Sequence, residues 1–502
     1  MKRYSLPVLL ALFTLSPSMD GNAAEVTVRG GLSTGVEIYD RQYTASPEEL
    51  EQKGVSVDDN ADDYQRILIR PLIAIDRATE RSDLSLSYQP TLYYDYLNED
   101  EDVNHSTSLA FRNRLTEAWT LSLTDNFVQA DITEDNVVTD TVAAPMAAGA
   151  TETVATGRPG DGNRISDEAG RRKYSTNTLR FLSEYAYGQD SVFSMGYAYG
   201  ILRNDNADAG RYQDFDRHEA SIGLDHRLDR KWKTSLAGRY VRGIYDEPDQ
   251  NTTATAAEFQ AADVPAVPSD DLDEYYADAG VEYDGIARHP LRLDYGLAVY
   301  NYDDAARADS EVHDLTLGWR WLYSPHLTMN AGAGPSYATT DGQDDTWGYN
   351  GEIGADYTIE RGKFHLGVEK GLERRNFTGE VDDNGLIDYW DGRADFSYQL
   401  LQSTTVALFA GYRNDDQDEV VRGGGSLPPS TDAAQQLEND LIETVTTQRF
   451  YTGCSVKYSF WQWYALDLRY RYADQTSDDP GDEYDEHLVT LTLSYAKDFW
   501  RW

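Results

Sequence analysis

One cysteine, Cys454, stands in 502 residues, so no disulfide can form within the chain and the fold must hold without one. Basic side chains are scarce: 44 Lys and Arg against 87 Asp and Glu leave a formal net charge of −43. Phosphate binding needs a Lys/Arg-rich surface, which excludes nucleic acid as a partner. Histidines number only eight, none in a metal-ligand spacing, and the chain has no G-x-S-x-G, P-loop or cysteine pair. No catalytic constellation emerges, and an enzyme is not expected. Long apolar runs are missing too. With a mean hydropathy of −0.62, no stretch reaches the roughly 18 apolar residues of a membrane helix, whereas a membrane strand needs only about 9–11 alternating ones. What abounds is aromatic: 36 Tyr, 14 Phe and 10 Trp, 12% of the chain, which is the opposite of a disordered composition.

The first 24 residues have a layout of their own. Lys2 and Arg3 precede an apolar stretch from Leu6 to Leu15, and small residues end at Gly21-Asn22-Ala23-Ala24. That is the three-part plan of a secretory signal peptide, with cleavage expected near Ala23 or Ala24. Residues 1–24 are therefore expected to be a leader, and 25–502 a single exported domain.

From Val26 onward apolar residues fall on alternate positions: Val26, Val28, Leu32, Val36 and Ile38, with Thr27, Arg29, Ser33 and Glu37 between them. A period of two is a strand with one dry and one wet face. The pattern returns in Ile67, Ile69, Ile73 and Ile75, in Leu84, Leu86, Tyr88 and Leu92, and near 107–113, 119–127, 177–187, 192–201, 218–228, 232–242, 275–283, 291–301, 313–321, 327–337, 349–359, 364–372, 390–400, 404–412, 450–460, 464–472 and 487–495. The total is about 20 strands, an even number, as bacterial single-chain outer-membrane barrels have. Connections alternate as well. Short turns such as Glu80-Arg81, Asp229-Arg230-Lys231 and Arg361-Gly362-Lys363 take turns with longer polar loops at 44–62, 97–105, 130–174, 203–215, 244–273, 302–311, 338–347, 374–388, 414–447 and 473–485. A soluble β-sandwich has no reason to sort its loops by parity. The fold expected is all-β: a transmembrane antiparallel up-and-down β-barrel with short periplasmic turns and long extracellular loops.

Aromatic rings gather at both ends of the dry face. Trp119, Tyr187, Trp232, Trp321 and Phe364 adjoin short turns, while Tyr94, Tyr199, Tyr275, Tyr349, Trp390 and Tyr412 adjoin long loops. Two such belts match the two interfaces of a bilayer. Four histidines on strands, His218, His226, His313 and His487, also fall on the dry side. The last strand ends in Phe499, Trp500 and Trp502, with a slip of parity after Tyr495 that implies a bulge or a short tail. Pro71 and Pro90 oppose each other in the register that pairs Ile75 with Leu86, so a bulge or weakened seam is expected there.

The wet face is heavily charged. Arg29, Arg66, Arg70, Arg112, Arg180, Arg449, Lys457, Arg469 and Arg471 point inward by parity, and closure of the sheet sets those of the first and last strands on one basic wall. Glu274, Asp278, Glu282, Glu352, Asp356, Glu369 and Glu373 gather opposite. Charges in such numbers cannot be buried dry, so the lumen is expected to hold water, and a transverse field would favour polar solutes. Mutual ion pairing that stiffens the wall is the alternative reading. Inward Tyr39, Tyr93, Tyr276, Tyr300, Tyr389 and Tyr451 offer ring faces for sugars, or serve as ordinary strand filler. The loops 130–174, 244–273 and 414–447 are long enough to fold inward and constrict the bore.

One loop, 380–391, sets oxygens of Glu380, Asp382, Asn384, Asp388 and Asp391 around Gly385, approximating a calcium loop; a plain Asn-Gly turn explains the glycine equally well. Otherwise no cofactor is expected. Acidic outer loops such as Asn98 to Asp102 suit a saline habitat or divalent bridging to lipopolysaccharide.

The strand Val26 to Tyr39 running into an acidic loop, the Ile67 to Ile75 strand with its Arg-Pro, the Leu84 to Tyr96 strand and the closing aromatic tail resemble the β-barrel porins found with exopolysaccharide export systems in Gram-negative bacteria. The resemblance covers the mature chain and is one of layout. It implies an outer-membrane conduit for a secreted polysaccharide, working with periplasmic partners, although no periplasmic helical-repeat domain is evident. A general solute porin, or a structural or adhesive barrel with a plugged bore, are the alternatives.

Overall fold

Alternating side chains build a single closed sheet in the computed structural model of the protein, which describes residues 25–44, 63–130, 173–204, 213–246, 271–303, 307–377, 385–421, 441–478 and 483–501. The leader and much of the three longest loops lie outside the described residues. Twenty strands follow in order: β1 Glu25–Tyr43, β2 Tyr64–Ala78, β3 Ser82–Asp95, β4 Asp100–Arg114, β5 Trp119–Ala130, β6 Tyr174–Gly188, β7 Ser191–Asn204, β8 Phe215–Arg227, β9 Trp232–Tyr245, β10 Leu272–Tyr283, β11 Leu291–Tyr302, β12 Ser310–Ser324, β13 Leu327–Thr340, β14 Thr346–Ile359, β15 Gly362–Arg374, β16 Leu386–Leu401, β17 Thr404–Val421, β18 Leu441–Phe460, β19 Tyr464–Ser477 and β20 Tyr484–Arg501. Each pairs antiparallel with its sequence neighbours, and β1 closes on β20. Closure leaves no sheet edge to aggregate.

Several strands run further than their alternation suggests. β4 begins at Asp100, so the loop expected over 97–105 shrinks to a tight turn, and β17 and β18 reach into the expected 414–447 loop. At the long-loop rim both faces of a strand are wet, so the ladder continues after the period-two signal has faded. Short turns on the other rim are tied by side chains. Asp229 accepts hydrogen bonds from the backbone N–H groups of Lys231 and Trp232, which hold its carboxyl below the usual range. Thr116 and Ser324 accept similar bonds before Trp119 and Leu327. Local bonds of this kind define Asx- and Ser/Thr-turns.

The two opposed prolines leave a gap rather than a bulge. The β2–β3 ladder passes from Ile69↔Leu92 directly to Ile73↔Tyr88 with its register unchanged, because neither Pro71 nor Pro90 has an N–H to offer. Replacing both with valine is expected to add two ladder bonds, about 0.5–1.5 kcal/mol each. Slower amide exchange across Arg70–Ile73 is the measurement; unchanged exchange would show the gap has another cause.

At closure the expected bulge is present and the short tail is not. Val28 pairs with Trp500 and Arg29 with Asp498, leaving Phe499 as the extra residue. Its ring lies over Gly30, where a Cβ would come within 2.1 Å of the ring, so a side chain there would push the exposed ring aside.

Candidate functional site

Parity carries charged side chains into the bore, and closure assembles them. Glu486 of β20 is 1% exposed. It accepts hydrogen bonds from Arg41 at 3.1 Å and Tyr39 at 2.9 Å on β1, and from Arg471 on β19. Arg66 lies 3.8 Å from the fully buried Asp95, its guanidinium 4.0 and 4.2 Å from the ring centres of Tyr64 and Tyr93. Arg29 bridges Asp498 and Asp76, Arg70 lies 3.9 Å from Glu37, and Arg469 bonds Asp467. Arg449 stands opposite Arg413 in the β17–β18 ladder. The basic wall therefore exists as a set of positions, but carboxylates already occupy most of its guanidiniums. Arg112, Arg180 and Lys457, on β4, β6 and β18, enter no ion pair among the described residues.

The inward tyrosines are similarly engaged. Tyr39 stacks on Tyr64 at 5.0 Å. Tyr276 carries the Arg239 guanidinium at 3.9 Å and meets Tyr300 edge-on. Tyr389 lies beneath Arg413 at 4.6 Å and donates to Glu369, and Tyr451 packs against Phe409. Four of the six, Tyr39, Tyr93, Tyr276 and Tyr389, carry an arginine over one ring face; Tyr39, Tyr93 and Tyr389 are buried, and Tyr276 is half-buried at the internal cavity.

Of the calcium candidates, Glu380, Asp382 and Asn384 lie outside the described residues. Asp388 contacts Lys370, and Asp391 lies 3.8 Å from Arg413. Three residues apart on β16, these two carboxylates project to opposite faces, so one ion cannot take both. Among the described residues no group of three His, Cys, Asp or Glu is placed to hold a metal.

What does enter the bore is the end of β15 with the residues that follow it, Leu372 to Phe377. β14 and β15 stay paired only up to Gly351↔Lys370. Beyond it, Leu372 should face outward by alternation, yet it is buried against Ala298, Tyr300, Val312 and Ala338, which project inward from β11, β12 and β13. The end of β15 has parted from β14, while it stays paired with β16 and β16 with β17. Arg374 donates to Ser310 Oγ and to the Ala308 carbonyl. Asn376 donates to Glu274 and accepts from Tyr302. Phe377, 4% exposed, packs with Phe215, Leu202, Val241, Leu272 and Tyr174 on the far side of the lumen, its N–H bonded to Tyr245 Oη. Burial opposes the charge of Arg375, but Glu373 and Asp415 overcome it and raise its pKa. The backbone of Phe377 sits at φ 66°, a left-handed conformation that costs a bulky residue about 1–2 kcal/mol. Strain of this kind persists only where the surroundings hold it, here the apolar cup and the bond to Tyr245.

Beneath this segment lies a cavity of about 390 Å³. Glu274, Asp278, Asp294, Asp314, Glu352, Glu369 and Glu373 line it, with Arg217, Arg292 and Arg374 among them. Most of the acidic wall expected from the sequence is thereby gathered at one constriction. Sequence reasoning had flagged 374–388 as a loop but not Arg374 to Phe377 as its lumenal tip. The available signal was local: two arginines, an asparagine and a phenylalanine in a row, amid loops that are otherwise acidic.

The outer face holds a pattern of its own. His105, His218, His313 and His487 each precede Ser or Thr by three residues and Leu or Ile by four. Each shares a hydrogen bond through Nδ1 with a tyrosine of the preceding strand: Tyr88, Tyr197, Tyr295 and Tyr470, at 2.8–3.0 Å. His226 bonds Tyr187. The strand histidines are outward, as expected, and tyrosine satisfies them.

No protein-family model matches the chain, and no curated protein does. Among solved structures it is similar to the FrpB iron transporter from Neisseria meningitidis, at 10% identity and a TM-score of 0.48, covering 94% of this chain and 82% of that one. It is similar to the siderophore receptor PirA from Pseudomonas aeruginosa, at 9% identity and 0.47, covering 93% and 80%. It is also similar to Pseudomonas aeruginosa OccK3 (OpdO), at 10% identity and 0.39, covering 94% and 96%.

Proposed function

We propose that this chain is an outer-membrane channel for hydrophilic, saccharide-type solutes. One observation carries the reading: the barrel is the inverse of a water-soluble protein. Leu317 and Ile353 stand 61% and 63% exposed at mid-strand on its outer face, while Thr316 and Glu352 beside them line the internal cavity. A continuous apolar girdle of this kind belongs against an apolar medium, and aromatic belts above and below it fit the two edges of a bilayer. Twenty strands enclose more space than side chains fill, since 16–18 already leave an aqueous channel, and the charges within need water. On this reading residues 1–24 are removed at export and the long loops face outward, where their acidity suits divalent bridges to lipopolysaccharide. The resemblance to exopolysaccharide-export porins makes a secreted polysaccharide the solute, delivered by periplasmic partners. Tyr276, half-buried at the internal cavity, would then offer its ring to the sugar units.

The end of β15 lodged in the bore favours a second reading, a structural or adhesive barrel that passes nothing. Planar-bilayer conductance separates the two. Measurable current that falls in graded fashion on adding oligosaccharides supports the channel. Silence at every voltage, even after residues 372–387 are replaced by a short turn, supports the plug. The membrane setting has its own test. Ile353→Arg is expected to lower stability in lipid bilayers by about 2–4 kcal/mol, and the adjacent Glu352→Arg far less. Equal tolerance of both would remove the membrane assignment.

A further inference from the structure

We propose that the end of β15 with the residues that follow it, Gly371 to Phe377, is the gate of this channel, and that its open state is the one in which β15 resumes its place beside β14; the inference rests on the channel reading. Both strands continue past their last shared rung. Thr346–Asn350 of β14 pair with β13 but have no partner on β15, while Gly371–Arg374 of β15 pair with β16 but not with β14. The register of the existing ladder, extended, sets Leu372 opposite Tyr349 and Arg374 opposite Trp347. An unused ladder of defined register is therefore built into the wall, and main-chain groups left unpaired at a strand edge are sites for pairing.

The inward state is held by separate contacts on the opposite wall: Phe377 in its apolar cup, Asn376 on Glu274 and Tyr302, and Arg374 on Ser310. Lys370 occupies the split that the end of β15 leaves. It is buried between the rings of Tyr349 and Trp390 and contacts Asp388. Two alternative sets of partners, one in use and one vacant, are what a two-state element requires.

Comparison with the rest of the barrel singles out the β15–β16 hairpin. The hairpins β3–β4, β7–β8, β11–β12 and β19–β20, each capped at the long-loop rim, carry the outer-face Tyr–His bond, and they recur at intervals of four strands. β15–β16 is the member of that series that lacks it. Trp390 holds the position of the histidine, with outward Phe396 six residues on, where the others have Phe111, Leu224, Trp319 and Leu493. The bond ties the two strands of a hairpin to each other, whereas the seam that opens here lies between hairpins, where β15 parts from β14.

Leu372 reports the two states through different neighbours. In the inward state it touches the inner face at Gly348, whose added Cβ would lie 3.4 Å from a Leu372 methyl. In the open state it faces Tyr349. In a Cys454→Ser background, Gly348→Cys with Leu372→Cys should cross-link the closed form, and Tyr349→Cys with Leu372→Cys the open one. The open cross-link is expected to raise single-channel conductance at least threefold, reversibly with reductant, while the closed cross-link holds it at the resting level. Phe377→Ala, which needs no cross-link, should also raise it. Heat-modifiable migration on gels checks that each variant is folded. Equal conductance of both cross-linked forms and of Phe377→Ala, in a barrel that conducts, would overturn the gate. Silence of every variant would instead overturn the channel reading on which it rests.

Discussion

Glu486→Gln is expected to lower the unfolding free energy of the barrel by about 3–5 kcal/mol, the cost of leaving buried charges without their counter-ion. The substitution keeps shape and removes charge. Arg41 and Arg471 would then face each other across a neutral amide, at a site where Glu486 is 1% exposed and the Arg41 side chain 5%. The location magnifies the effect, because β19, β20 and β1 meet here and the bond between Arg41 and Glu486 spans the seam that closes the sheet. A barrel that opens at this seam exposes two strand edges at once. Asp467→Asn supplies the control. Its partner Arg469 is 44% exposed, and pairs of that kind contribute about 0–1 kcal/mol. Urea titration of both variants in lipid vesicles decides the matter; equal costs would mean that the closing cluster is no more than a surface ion pair.

Parity explains why so much of this molecule is legible in its sequence. Val36, Ile38, Ile67 and Ile69 announce a dry face because a strand turns over at every residue, and the same rule places Arg66 and Glu37 inside without any knowledge of the partner strand. Strand number and closure follow by counting. Pairing does not. That Arg66 meets Asp95, or that Glu486 meets Arg41 across 445 residues, depends on registers that alternation leaves open to shifts of two. The inward end of β15 was hidden for a different reason: Gly371 to Arg374 keep a strand's sequence and their pairing with β16 while parting from β14, so their pattern gives no warning. The histidines illustrate the converse. His218, His313 and His487 looked like isolated polar exceptions on a dry face, and His105 fell at the end of an expected loop. Their shared spacing to Ser or Thr and then Leu or Ile was present in the chain throughout, and only the cross-strand tyrosines reveal why it recurs.

Ion selectivity should respond to lumenal cations that enter no ion pair among the described residues, Arg112, Arg180 and Lys457 among them, and not to the paired ones. An arginine whose carboxylate sits beside it contributes a dipole whose field falls off quickly, whereas Arg112, Arg180 and Lys457 act as net charges toward a passing solute. Replacing all three with glutamine removes an interaction of about 1 kcal/mol for a monovalent ion passing at close range in water. The ratio of cation to anion permeability is therefore expected to rise roughly fivefold, read as a shift of reversal potential under a salt gradient, with the shift shrinking at high ionic strength as screening sets in. Stability should change little, because no partner is orphaned. Arg66→Gln should do the reverse: it takes the guanidinium away from the fully buried Asp95, whose bonds from Gln65, Leu97 and Asn98 remain, so unfolding comes at lower denaturant while the permeability ratio moves less than in the triple variant. If the triple variant keeps its reversal potential and Arg66→Gln shifts it, the paired wall governs selectivity after all, and the division between structural and functional charge drawn from the ion pairs is wrong.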